Sequence, residues 1–358
     1  MSSPFRSLLK PSAALLAGAL LSAAVTTPAL AQEEKLRWKV QAVFGTHLPG
    51  LGDPINMVAA ALAEASDNDV QLKIFEPGKI VPPFGITEAV KNKQIPAGYA
   101  WLAYDQGKIP AAALFSAVPF GMDAVAFATW WYEGGGQALA EKVYAAHNVH
   151  PILCSVVGPE TAGWFREEIH TPADLQGKKI RFPGLGGKVL QKLGASVTVI
   201  PSGEIFAALE KGAIDATEFS MPAIDEILGF DKVAKHNYFP GWHQPFTASH
   251  LVVNTEVWNS LTPAHRSLID TTCTAGTLRA LTRGEALQGS VLASYDKKGV
   301  TAHKLSPELL AALKQATDEV MAEASAADPQ FKEVYESMQR FQSDYGRWKE
   351  LAYLPNGI

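Results

Sequence analysis

Cysteine is nearly missing from this chain, which carries two, Cys154 and Cys273, in 358 residues. Two are too few for a disulfide framework or a cysteine-built zinc site, and neither stands in a Cys-x-x-Cys pair. Cys154 falls in the apolar run from Pro151 to Val156, where a buried small hydrophobe is the expected role. A bridge to Cys273 is permitted by an oxidising compartment, and nothing else in the sequence argues for it. Basic charge is also scarce: 31 Lys and Arg stand against 36 Asp and Glu, a formal net charge of −5. With no basic run either, the chain lacks a nucleic-acid footprint. Its histidines form no His-Glu-x-x-His, and no Gly-x-Ser-x-Gly elbow occurs, so the familiar metalloprotease and hydrolase signatures are absent and no enzyme activity is expected. Beyond residue 31, no apolar run approaches the roughly 18 residues a membrane helix needs.

Residues 1–31 read as a secretory signal. Arg6 and Lys10 lead, an apolar stretch runs from Ser12 to Val25, and Ala29-Leu30-Ala31 offers small-residue cleavage before Gln32. The residue directly after that point is Gln32 and not a cysteine, which argues against a lipid anchor, and the expected location is the periplasm. The remaining 327 residues (358 less 31) are long for one core and suit two lobes.

From residue 36 the pattern alternates strand and helix. A strand over 36–44 is followed by a helix capped by Asp53, opened by Pro54 and running to about Ala65, then by a strand over 70–75. The same alternation restarts at Ile152, continues through Ile180-Arg181-Phe182, residues 197–200 and residues 216–219, and returns over 249–253. Such alternation predicts a mainly parallel sheet covered by helices, and two such units joined by crossing segments suit a clamp. Thr262-Pro263 opens a helix that the pattern carries to Lys298, about 55 Å at about 1.5 Å per residue. Gly276, Gly284 and Gly289 weaken its straightness. A helix follows over 308–324, and another opens at Asp328-Pro329 and runs to about Ala352. In that last helix Phe331, Val334, Tyr335, Met338, Phe341, Tyr345 and Trp348 recur at three- and four-residue steps.

Arg181 is the leading candidate for ligand contact. It ends an apolar strand that runs into Pro183-Gly184, which delivers its guanidinium where a strand opens into a cleft, the place where open α/β sheets bind ligands. The planar fork suits a carboxylate. Gly184, Gly186 and Gly187 complete neither a dinucleotide nor a phosphate-loop pattern; they make a tight turn into a helix whose N-terminus favours an anion. Trp101, Trp242, Phe182 and Tyr99 are candidate pocket walls, though an aromatic residue more often packs a core. Gln244 and His243 are candidate hydrogen-bond donors.

Several segments recur in one order: Ala97-Gly98-Tyr99, Ala117-Val118-Pro119-Phe120-Gly121, Tyr132-Glu133-Gly134-Gly135-Gly136, Gly163-Trp164-Phe165, Ile180-Arg181-Phe182, Asp215-Ala216-Thr217-Glu218 and Tyr238-Phe239-Pro240-Gly241-Trp242-His243. Together they resemble the solute-binding proteins of tripartite ATP-independent periplasmic (TRAP) transporters, most closely the branch that takes small 2-oxo acids. The resemblance covers nearly all of the chain after residue 31. It implies an α/β two-lobe periplasmic-binding-protein fold, with mixed sheets flanked by helices and a long helix spanning both lobes. The implied limits are lobe I over 32–152, lobe II over 153–246, a lobe I return with the spine helix over 247–285, a lobe II return over 286–325, and a C-terminal helical segment over 326–358. It implies capture of a small organic acid, a 2-oxo or 2-hydroxy monocarboxylate, and its delivery to the small and large TRAP membrane subunits. A periplasmic sensor would use the same cleft. In some members of that branch the C-terminal helix packs on a second copy, so a homodimer is expected, and light scattering at micromolar concentration separates it from the monomer.

The resemblance also assigns roles. Arg181 matches the family's carboxylate-binding arginine, while Glu218 and the carbonyl of Phe219 match groups that hold a cation beside the ligand. Glu160 departs from the pattern, since relatives commonly carry Gln four residues before the Trp of Gly-Trp-Phe. With Gln, one Arg, one Glu and a monoanion leave a single negative charge, which Na+ neutralises. With Glu160 the deficit is two, which suits Ca2+ and its preference for hard oxygen donors. A cationic amine solute would balance the same charges without a metal, with Phe219 and Trp242 available for cation–π contact. A protonated or solvent-turned Glu160 is the third solution. No catalytic cofactor is expected.

Overall fold

The computed structural model describes residues 35–354, so the leader expected over residues 1–31 lies outside the described part. Its strands, in chain order, are Leu36–Ala42 (β1), Val70–Phe75 (β2), Ala97–Ala100 (β3), Val149–Val157 (β4), Gly163–Phe165 (β5), Lys179–Arg181 (β6), Ser196–Thr198 (β7), Ala216–Thr217 (β8), His236–Phe239 (β9), Thr247–Asn254 (β10) and Thr301–Lys304 (β11). They form two mixed sheets. The first, in lobe I, has the order β2-β1-β3-β10-β4, and the second, in lobe II, has the order β11-β9-β5-β8-β6-β7.

In the first sheet β1 runs parallel to β2 and β3, while β10 is antiparallel to β3 and β4. Trp38, Val40 and Ala42 of β1 alternate into one apolar cluster with Ile55, Val58 and Leu62, the inward face of the helix Pro54–Ala65. The two periodicities meet on that face, two along the strand and three-to-four along the helix. Asp53 stands at the N-cap as expected, its backbone carbonyl accepting from Asn56 N at 3.0 Å, but its side chain makes no capping bond. Its carboxylate accepts from Gly50 N at 2.6 Å and pairs with Arg283 Nε at 2.8 Å, so the preceding turn and the long helix claim it instead.

β4 stays in the first sheet as far as Val157, which pairs with Thr247. The return crossing ends where β10 begins, at Thr247.

The long helix covers Pro263–Leu292, 30 residues or about 45 Å, and does not continue to Lys298. It stops where Tyr295 turns inward: that ring is 3% exposed, and its hydroxyl donates to Asn237 Oδ1 at 3.1 Å. A short helix, Tyr295–Lys298, follows the break. The long helix touches both lobes. Cys273 is disulfide-bonded to Cys154 of β4, and Gln288 Oε1 accepts from Ala223 N of lobe II at 3.0 Å. The bridge corrects the expectation of a lone buried thiol at Cys154, although the site is fully buried as expected. Gly276 serves close approach: a Cβ there would stand 2.7 Å from Val58 Cγ2 and 3.0 Å from the Cys154 carbonyl oxygen.

The C-terminal helices are Pro307–Ala327 and Pro329–Ala352. The second lays Phe331, Val334 and Met338 against lobe I, where Trp130 Nε1 donates to Ser337 Oγ at 3.2 Å and Lys142 pairs with Glu333 at 2.7 Å. Much of the apolar stripe is therefore used within the chain, and Trp348 and Leu351 stay exposed. Among the described residues no helix is long and apolar enough to cross a membrane.

Candidate functional site

Strand register places the two central charges together. β6 and β8 are parallel neighbours with Arg181 opposite Thr217, so Arg181 and Glu218 emerge side by side from the ends of adjacent strands. Strand-end chemistry of this kind is what an open sheet offers to a ligand. Arg181 Nη1 donates to the Glu218 carbonyl oxygen at 2.9 Å and to Glu218 Oε1 at 2.5 Å. Its Nη2 donates to Tyr104 Oη at 3.2 Å, and its Nε reaches the Ile200 carbonyl oxygen at 3.4 Å. The guanidinium carbon lies 5.6 Å from the Phe219 ring centre. Both charged side chains are 1% exposed.

Glu160 comes from the crossing segment. Its backbone N–H donates to the Gln244 carbonyl at 3.1 Å, and Gly241 packs so closely that a Cβ there would lie 2.1 Å from the Glu160 carbonyl oxygen. Glu160 Oε1 accepts from Thr247 Oγ1 at 2.7 Å, and that hydroxyl in turn accepts from Gln244 Nε2 at 2.6 Å. Oε2 of Glu160 is buried with no hydrogen-bond partner among the described residues. His243 Nε2 stands 3.3 Å from Glu218 Oε2 and 3.8 Å from Glu160 Oε2.

Burial, and after it the charge of Glu218, hold the Glu160 carboxyl well above the usual carboxylate range. Such a group needs a proton or a cation. Ligand atoms of Glu160, Glu218 and His243 lie within 4.8 Å of one another, close enough to converge on one ion. The orphaned Glu160 oxygen and the two carboxylates fit a hard cation.

A cavity of about 230 Å³, including the part open to solvent, lies against this cluster. It is lined by Phe44, Leu51, Trp101, Tyr104, Gln244 and Thr247 and by Glu160, Arg181, Pro183, Glu218 and Phe219. Only about 10 Å³ of it admits the centre of a water-sized sphere, room for about one water, so the side chains close over the site in this arrangement.

Of the residues picked from the sequence, Arg181, Glu160, Glu218, Phe219, Trp101 and Gln244 meet at this cavity, and four, Tyr99, Phe182, Trp242 and His243, do not line it. Tyr99 stays in the lobe I core, its hydroxyl donating to the Leu51 carbonyl at 3.1 Å. β3 ends at Ala100, so Trp101 leaves the strand while Tyr99 does not. Phe182 and Trp242 stack on each other at 5.9 Å between ring centres, and Phe182 also meets the His243 ring at 4.5 Å. They stand behind the lining residues and do not line the cavity. His243 faces carboxylates.

Phe44, Leu51, Tyr104 and Thr247 line the cavity without having been picked. Phe44 and Tyr104 follow the ends of β1 and β3, so the strand-end argument used for Arg181 could have found them. Nothing in the sequence marks Thr247.

Comparison with known proteins places this geometry in context. The pattern of the family described as bacterial extracellular solute-binding protein, family 7 (DctP), matches residues 51–328. A monocarboxylate 2-oxoacid-binding periplasmic protein of Nostoc sp. (strain PCC 7120 / SAG 25.82 / UTEX 2576) is 34% identical over 321 residues, covering 89% of this chain and 88% of the relative. A TRAP transporter solute-binding protein from Bordetella bronchiseptica RB50 superposes with a TM-score of 0.87 at 30% identity, covering 89% of this chain and 95% of that one. That crystal structure is a mixed-occupancy dimer with copurified calcium and picolinate in the active site. A TRAP periplasmic solute-binding protein from Pseudoalteromonas atlantica T6c, solved with sodium and pyruvate, gives a TM-score of 0.85 at 31% identity, covering 89% and 97% of the two chains.

Proposed function

The chain belongs to the DctP family of extracytoplasmic solute-binding proteins that serve TRAP transporters, and on that premise we propose that it captures a 2-oxo monocarboxylate of pyruvate size together with a divalent cation. The observation that carries this reading is the buried Arg181 guanidinium, paired with Glu218 on the wall of a small interlobe cavity whose second carboxylate, Glu160, has an oxygen without a partner.

Arg181 would take the solute carboxylate, and Trp101, whose indole Nε1 is buried without a partner among the described residues, would donate to a further solute oxygen. Glu160 and Glu218 would hold the cation, with Phe219 beside them. Glu218 Oε1 now occupies an Arg181 donor. A cation engaging that carboxylate would compete for it and release the donor to the solute, so each ligand would favour the other, and such coupling is reciprocal. With both carboxylates ionised, one arginine, a monoanionic solute and a divalent ion leave no net charge, whereas a monovalent ion leaves one negative charge uncompensated. A solute held by groups from both lobes favours the closed arrangement by its differential affinity.

The leader over residues 1–31 would direct export, and the solute would pass to the TRAP membrane subunits. Exposed Trp348 and Leu351 offer a surface for the homodimer.

Calorimetry of pyruvate binding to EDTA-treated protein tests the reading. Added Ca2+ is expected to tighten binding at least about tenfold, a coupling of roughly 1.4 kcal/mol. Glu160→Gln is expected to remove the calcium requirement and let Na+ suffice. Pyruvate affinity indifferent to calcium would sink the divalent assignment.

A further inference from the structure

A second group of metal-ligating side chains lies away from the cavity, on the outer strands of lobe II. β11 pairs only with β9, in parallel, with Thr301 opposite His236 and His303 opposite Tyr238. Alternation along each strand puts His236 and His303 on one face. His236 Nδ1 lies 3.0 Å from His303 Nε2 and 3.8 Å from Glu168 Oε1, and the ligand atoms of all three residues fall within 4.8 Å of one another.

We propose that Glu168, His236 and His303 form a binding site for a borderline divalent transition ion of the Zn2+ class, which pins the returning strand β11 to β9 and to the loop after β5. Two imidazoles and one carboxylate are donors such ions prefer, whereas Ca2+ favours oxygen alone. Zinc–ligand bonds of about 2.0–2.1 Å in a tetrahedron set ligand atoms roughly 3.3 Å apart. The observed 3.0 and 3.8 Å bracket that spacing, so small side-chain shifts suffice. Three protein ligands leave a fourth position for water.

The surroundings hold the ligands in place. The His303 ring lies nearly flat on Tyr238, 4.7 Å between centres and 15° between planes. The Tyr238 hydroxyl accepts from Ile169 N at 2.7 Å, which fixes the backbone next to Glu168. His170 Nε2 stands 3.2 Å from Glu168 Oε2 and orients the carboxylate so that Oε1 faces His236. Outer partners of this kind tune metal affinity. The site shares no residue with the solute cavity, so the proposal stands whether or not the pyruvate reading does.

The test is calorimetric titration of EDTA-treated protein with ZnCl2, in saturating Ca2+ and pyruvate so that the interlobe carboxylates are occupied. One equivalent should bind with micromolar or tighter affinity, and zinc-edge X-ray absorption should report two imidazole nitrogens. His303→Phe keeps the ring stack on Tyr238 and removes the nitrogen. It is expected to weaken zinc at least roughly 100-fold, because loss of even an outer partner costs about 10- to 100-fold. His236→Ala is expected to do the same, with calcium-dependent pyruvate binding unchanged in both variants. Binding weaker than about 100 μM, or zinc affinity equal in wild type and His303→Phe, overturns the site.

Discussion

The two lobes bury different kinds of polar group. Lobe I contributes Phe44, Leu51, Trp101 and Tyr104 to the cavity, all uncharged, and buries His250 inside its sheet with neither ring nitrogen partnered among the described residues. Lobe II contributes Arg181 and Glu218 as a buried ion pair, with Asp225 behind them accepting from Trp164 Nε1 at 2.8 Å. Glu160 sits at the crossing between the two. One wall therefore carries the charge, and the other supplies a neutral cover. On the proposed reading, charged capture would fall to lobe II, while lobe I would exclude water and strengthen what lobe II grips.

Removal of the guanidinium should break this asymmetry most severely. Arg181→Ala leaves Glu218 buried without its main partner, a change that costs about 3–5 kcal/mol when one member of a buried pair is lost. Pyruvate affinity is expected to fall at least about 100-fold, in line with the roughly 2–5 kcal/mol lost when a buried charge pair is truncated across an interface. Arg181→Lys keeps the charge without the planar fork, so it should fold more stably and bind with intermediate affinity. Calorimetry and thermal denaturation on the two variants read both effects. Micromolar pyruvate binding retained by the alanine variant would move capture away from lobe II.

A smaller effect separates the lobes by pH. Burial pulls the His250 pKa down to about 3 and burial pushes the Asp225 pKa up to about 8. The unfolded chain protonates its histidine near pH 6.5, so the His250 contribution is complete above that value and is lost as pH falls towards 3. At pH 5 the loss amounts to about 2 kcal/mol. Asp225 acts in the opposite direction: its contribution is complete below about pH 4 and is lost as pH rises through about 8. Denaturant titrations from pH 4 to 9 should show both limbs, and His250→Phe should flatten the acid limb alone. An unchanged acid limb in that variant would remove lobe I from the acid response.

The parts of this division visible in the sequence are those governed by local chemistry. The starts of the helices at Pro54, Pro263, Pro307 and Pro329 follow from proline in the first turn. At the last three, Thr262, Ser306 and Asp328 accept from His265 N, Leu309 N and Phe331 N as caps. The end of the long helix was not visible, because burial of Tyr295 against lobe II decides it and the local residues do not. The missing side-chain bond at the Asp53 cap has a similar reason: Arg283, far along the chain, takes the carboxylate. The same contrast holds at the site. Arg181 could be read from a strand end followed by Pro-Gly, whereas the choice among Trp101, Tyr99, Phe182 and Trp242 as cavity walls depends on which way each ring turns.

Tyr104 gives the smallest and most discriminating prediction. Its hydroxyl is the lobe I group bonded to Arg181, and its ring is held edge-on by Trp101 and Phe84 at 4.7 and 4.6 Å. Tyr104→Phe keeps those ring contacts and deletes one acceptor for a charged donor, a bond worth about 1.5–3 kcal/mol when its loss leaves the donor buried and unmet. A bound solute oxygen could satisfy the same Nη2, so the loss should fall on the ligand-free protein more than on the complex. The expected result is a lowered unfolding temperature without solute, together with a pyruvate affinity within about tenfold of wild type, and unchanged or tighter if the released donor goes fully to the solute. If this single hydroxyl costs as much affinity as Arg181→Ala, the neutral lobe is part of the grip, and the assignment of capture to lobe II fails.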